Sequence, residues 1–70
     1  MRAKELIGKE VLDAKAKKVG KVADLELDIT KGIVEHIDVK AGFTKGYIIN
    51  LDMIHVVGDK VILNVPEEEL

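Results

Sequence analysis

The chain contains no cysteine and no tryptophan, one proline, and only Phe43 and Tyr47 as aromatics among its 70 residues. Without cysteine neither a disulfide nor a thiolate metal site is available. With two aromatics, the core has to be built from Val, Ile and Leu. Ordering a chain of this length costs roughly 100 kcal/mol at about 1.5 kcal/mol per residue, which a core of this size only just offsets without a staple or a partner subunit. Long apolar runs are also missing, so no segment spans a membrane as a helix, and Met1 to Ile7 is too short and too charged for a secretory signal. A cytoplasmic location is therefore expected. Neither sign of charge dominates: 11 Lys and Arg are interspersed with 13 Asp and Glu, for a formal charge of −2. That balance lacks the electrostatic footprint of a nucleic-acid binder.

What is present favours sheet. Hydrophobic residues make up 47% of the chain, and their β-branched excess suits strands. From Ala23 to Ile29 the alternation is strict, with Ala23, Leu25, Leu27 and Ile29 on one face and Asp24, Glu26 and Asp28 on the other, the mark of a half-buried strand. The connection that follows can be tested by parity, because opposed residues of an antiparallel pair share a face. A two-residue loop sets Leu25 and Leu27 against Asp38 and His36. A three-residue loop, Thr30-Lys31-Gly32, sets Ile29 against Ile33, Leu25 against Ile37 and Ala23 against Val39, with Gly32 in the left-handed position of a turn plus bulge. The three-residue register is expected. It leaves Glu35 opposite Leu27 as a misfit at the rim. Val22 breaks the alternation in the other direction and, with Gly20, predicts a bulge or bend where the strand begins.

The remaining elements are short. Met1 to Ile7 reads as a lead-in whose Leu6 tucks against the core, and Lys9 to Asp13 as a first strand. Ala41 to Gly46 forms a loop before a strand at Tyr47 to Asn50, and Leu51-Asp52-Met53 makes one irregular turn. Ile54 to Val57 and Lys60 to Val65 flank Gly58-Asp59, a two-residue hairpin of type II′ that pairs Val56 with Val61 and Ile54 with Leu63. Pro66 ends the ladder and residues 66–70 are expected to fray as an acidic tail. One all-β domain over residues 1–70 results: a small barrel, or a strongly coiled antiparallel sheet of about six short strands.

Three groups of side chains invite a functional reading. Asp24, Glu26 and Asp28 share a strand face with His36, an arrangement that suits a divalent cation or an oriented base. Side chains two apart on a flat strand diverge, however, so a solvated acidic face is expected and cation binding is the alternative. Met53, His55, Val57 and Ile62 fall on the second face of the last hairpin, an apolar patch that needs cover on so small a chain. That patch is the expected surface for self-association or a partner. Phe43 and Tyr47 flank the glycine loop and are expected to plug the barrel end, since a stacking platform for single strands needs a basic groove around it. No catalytic triad, phosphate-cradling glycine loop or zinc spacing occurs. No catalytic residue, metal or cofactor is expected.

Gly8-Lys9-Glu10-Val11-Leu12-Asp13, Val19-Gly20-Lys21-Val22-Ala23-Asp24, Leu27-Asp28 before the Gly32 turn, and Asp52 to His55 leading into Val57-Gly58-Asp59-Lys60-Val61-Ile62-Leu63 together resemble the PRC-barrel pattern from Leu6 to Val65. Ala16 departs from it, because many relatives carry glycine in that first hairpin. The resemblance, to the stand-alone archaeal type, implies a PRC-type barrel and a non-enzymatic binding or assembly module that interacts with other proteins; the apolar face of the last hairpin adds the expectation of a homodimer. Some stand-alone archaeal members are linked to cell division through SepF, the membrane anchor of the division ring. Another relative is the C-terminal domain of a ribosome maturation factor.

Overall fold

The computed structural model describes residues 1–70. A single helical turn, Ala3–Leu6, precedes six strands: β1 (Glu10–Leu12), β2 (Lys18–Asp28), β3 (Ile33–Ala41), β4 (Lys45–Asn50), β5 (Ile54–Val57) and β6 (Val61–Leu63). Short 3-10 turns fill Leu51–Met53 and Glu67–Glu69. The strands form one sheet in the order β4-β3-β2-β1-β6-β5, curled into a half-barrel with β4 and β5 as its edges. The fold is all-β as expected, but the sheet is mixed. β1 runs parallel to β6, with Val11 beside Val61 and Leu12 beside Ile62. The core on the concave side consists of Val11, Val19, Val22, Ile37, Val39, Ile49, Val61 and Leu63, so burial falls on branched aliphatics, with Leu6, Leu25 and Tyr47 packed around them.

Bulges curl the sheet, and they also decide which expected pairings form. At the start of β2, Val11 faces Gly20 and Leu12 faces Lys18, with Val19 as the extra residue. Gly20 is wedged against β3: a Cβ there would run into the Lys40 carbonyl oxygen and lie 2.8 Å from its carbon. Further along, Val22 pairs with Val39 and Asp24 with Asp38. The residue left out is Ala23, not Val22, which restores the broken alternation by turning Val22 into the core.

The centre of the β2–β3 hairpin keeps the expected register, with Leu25 opposite Ile37 and Glu26 opposite His36. Its far end does not. Leu27 meets Val34 and Asp28 meets Ile33, so Glu35 is bulged out and the loop is Ile29–Gly32, four residues rather than three. The reason is local. Expelling Glu35 replaces a carboxylate opposite Leu27 with an apolar partner, and Asp28 closes the longer loop: its Oδ1 accepts from the Lys31 N–H at 3.0 Å and its carbonyl from the Gly32 N–H at 2.8 Å. Gly32 takes the left-handed conformation, φ 67°.

The last hairpin shifts in the same way. Ile54 pairs with Leu63 as expected, but Val56 pairs with Ile62 and Val57 with Val61 around an extra residue, His55. The turn spans Gly58 to Lys60, and Gly58 is not among the glycines of positive φ, so it is not a type II′ turn. The bulge lets Ile54 and Val57 both face the core while the imidazole stays outside.

The C-terminal segment does not fray. Glu67–Glu69 forms a turn held to the connection between β1 and β2, and Leu70 packs against the core. No helix is long and apolar enough to cross a membrane.

Candidate functional site

Asp13 organises the closed end of the half-barrel, and its role is invisible in any sequence motif. It is fully buried, and three backbone N–H groups donate to its carboxylate: Lys15 (2.9 Å) and Lys17 (2.8 Å) to Oδ1, and Glu67 (2.8 Å) to Oδ2. Burial alone would raise its pKa, but these donors, with the nearby Lys17 charge, outweigh it and hold the carboxyl below its ordinary range. Ion pairs Lys15–Glu68 (3.7 Å) and Lys17–Glu67 (3.6 Å) lie over the same joint, and the Tyr47 hydroxyl donates to Glu67 at 3.4 Å. On the neighbouring strands Glu10 sits between Lys60 (2.7 Å) and Lys18 (3.3 Å), whose hydrogen bonds, Lys60 first, also lower its pKa. Every group here is used up within the chain, so this end is structural.

The acidic face does not close on a cation. His36 and Asp38 come together (Nε2 to Oδ1 3.4 Å), while Asp24 accepts from the Leu25 N–H and Asp28 from the Lys31 N–H. Glu26 projects outward opposite His36. No three His, Asp or Glu side chains converge on a position for a metal ion.

The patch expected on the last hairpin is split by the His55 bulge. Met53 and Val57 pack against the core, His55 is exposed, and Ile62 is half-buried beside Val56. Phe43 corrects another expectation. It is wholly exposed at the tip of the β3–β4 turn and plugs nothing, whereas Tyr47 is half-buried on the core with Lys45 Nζ 5.5 Å from its ring centre.

Exposed apolar residues also gather elsewhere, on the far half of the β2–β3 hairpin. β1 accompanies β2 only over Lys18 to Lys21, and β4 accompanies β3 only from His36 onward. Leu27, Ile33 and Val34 therefore belong to a two-stranded ribbon with no strand on either side, with Leu27 and Val34 on one of its faces and Ile33 on the other, and Ile29 begins its loop. Leu27 is 51% exposed, Ile33 50% and Ile29 81%. At its root the ribbon forms a groove of about 290 Å³ with the N-terminal segment, lined by Met1, Arg2, Ala3, Leu6, Leu25, Leu27 and Val34. The signal was present in the sequence as the alternation continuing to Ile29; what the sequence hid was that no neighbouring strand extends that far.

No curated protein matches the chain. The family model described as "PRC: PRC-barrel domain" matches residues 1–70, that is, the entire sequence. The match spans the whole chain, and the chain belongs to the PRC-barrel domain family.

Proposed function

We propose that this protein is a non-catalytic assembly module that self-associates and joins another protein through the far half of its β2–β3 hairpin. One observation carries the reading: the far half of the hairpin, which no neighbouring strand flanks, holds Leu27, Ile29 and Ile33 half or more exposed, with Val34 opposite Leu27. An isolated two-stranded hairpin is marginal in water, and a small core without staples benefits from a partner surface. Family membership supports a small interaction or assembly module. The last hairpin competes less well for this role, because Met53 and Val57 are turned toward the core and only His55, Val56 and Ile62 remain to face outward.

Light scattering tests the reading. A dimer mass is expected at tens of micromolar, with Leu27→Glu reducing it to a monomer of unchanged circular dichroism and Ile62→Glu leaving it intact. A strictly monomeric wild-type mass at high concentration contradicts self-association. For the partner, the resemblance to archaeal stand-alone members supports a division-ring adaptor contacting SepF. Affinity capture from the source cell should then recover division proteins; recovery of ribosomal proteins and RNA instead would favour the maturation-factor alternative.

A further inference from the structure

The pairing of β2 with β3 stops at Lys21 opposite Lys40, although β2 begins at Lys18 and β3 runs on to Ala41. The cleft left where the two strands part, of about 490 Å³, is lined by Lys18 to Lys21 and by Lys40, Ala41 and Gly42, and holds no acid. Like charges directly opposite each other on paired strands repel, yet neither Lys21 nor Lys40 makes an ion pair within the chain. The acids beside them are already engaged: Glu10, opposite Lys21, lies between Lys60 and Lys18, Asp38 holds His36, and Asp24 accepts from the Leu25 N–H. Next to the cleft, Gly42 turns the chain at φ 71° and leaves Phe43 at the tip, the most exposed of the large apolar side chains. No acidic residue occurs from Val39 to Leu51, in a chain that carries 13. Of the tail acids, Glu67 and Glu68 are paired with Lys17 and Lys15, which leaves only Glu69.

We infer that the β3–β4 turn and this cleft bind an anionic lipid surface, with the Phe43 ring entering the headgroup boundary and the Lys21 and Lys40 ammonium groups on lipid phosphates. An exposed aromatic ring ringed by unpaired cations combines two weak signals for a bilayer surface, apolar burial and attraction to anionic headgroups. A nucleic-acid strand fits less well. It needs a basic groove that tracks its backbone, whereas the Asp24–Asp38 pair follows the lysine pair along the same ladder, further from the turn. The turn lies at the opposite end of β3 from the exposed hairpin, so a lipid surface here leaves that hairpin free for a protein partner.

The absence of native tryptophan makes Phe43→Trp a single fluorescent reporter. Its emission should shift to the blue on vesicles of phosphatidylcholine with one third phosphatidylglycerol, and not on phosphatidylcholine alone. High salt should reverse the shift by screening the surface charge. In co-sedimentation with the anionic vesicles, Phe43→Ser and the double variant Lys21→Ala with Lys40→Ala should each weaken binding of the chain about tenfold or more. Circular dichroism should stay unchanged, because all three side chains are exposed. No binding to the anionic vesicles, or equal binding to both kinds, overturns the proposal. Full binding by the double lysine variant overturns it as well. A blue shift on a single-stranded oligonucleotide with none on vesicles assigns the surface to nucleic acid instead.

Discussion

The closed end of the half-barrel and the free end of the β2–β3 hairpin are built from the same kinds of residue and finish differently. At the closed end, Asp13, Lys15, Lys17, Glu67 and Tyr47 satisfy one another, and Leu70 completes the core. At the free end, Asp28 closes the loop, but Leu27, Ile29 and Ile33 are left half or more exposed. The contrast separates what holds the monomer together from what is left over for a partner. Substitutions at the first end should act on folding and at the second on association.

The largest effect is expected at Asp13. Removing a buried charged acceptor strands its donors, so Asp13→Ala should lower the melting temperature by roughly 10 °C or more, given several degrees per kcal/mol in a domain of this size. The docked tail should loosen with it, visible as faster proteolysis after Val65. Acid should act through the same groups. Asp13 and Glu10 have folded-state pKa values below their ordinary 3.8 and 4.5, so the unfolded chain takes up protons first. Their contribution is complete above about pH 4.5, the unfolded glutamate value, and is lost as pH falls through the lowered folded values, below 4.5 for Glu10 and below 3.8 for Asp13. Denaturant melts at pH 7 and pH 3 should show it; equal midpoints would mean that the joint contributes little.

Next in size is Gly20→Ala, where the new methyl meets the Lys40 backbone. Overpacking of this kind costs about 2 to 3 kcal/mol, to be read by urea unfolding. At the free end, Leu27→Glu should leave the urea midpoint of dilute protein almost unchanged and weaken association at least tenfold, equivalent to about 1.4 kcal/mol. If it destabilised the monomer as much as Asp13→Ala, the division between the two ends would fail. The smallest effect is a gain. Ala16 sits at φ 63° in the first turn, a conformation that disfavours a Cβ by about 1 to 2 kcal/mol. Ala16→Gly should therefore stabilise by up to about 1 kcal/mol once the greater freedom of unfolded glycine is counted, measured by the same unfolding curves.

Much of this arrangement was legible in the sequence. Alternation from Ala23 to Ile29, together with parity, placed Leu25 opposite Ile37, and the glycine and proline punctuation marked the remaining strands. Family resemblance at the Gly8 to Asp13 and Val19 to Asp24 segments agreed with the match over the whole chain. What escaped were single-residue bulges at Ala23, Glu35 and His55. A bulge reverses the facing of every later residue, so the pattern around His55 read as one outer apolar face when Val57 turns inward; Met53, in the turn before β5, packs on the core as well. Parity detects that something must give, as at Glu35, but not which residue gives. The role of Asp13 escaped for a different reason: its donors come from residues 15, 17 and 67, and the last of these is brought near only by the finished fold. Ala16 was marked as a departure from the family pattern, and its left-handed backbone shows the position where glycine would relieve strain.

Amide hydrogen exchange at two protein concentrations, one below and one well above the association midpoint, tests the central claim most directly. Raising the concentration should slow exchange between Leu27 and Val34 and around Leu6, while amides at Lys15, Lys17 and Glu67 keep the same protection. Concentration-dependent protection confined to Ile54 to Ile62, or none anywhere, would contradict the free ribbon as the contact surface.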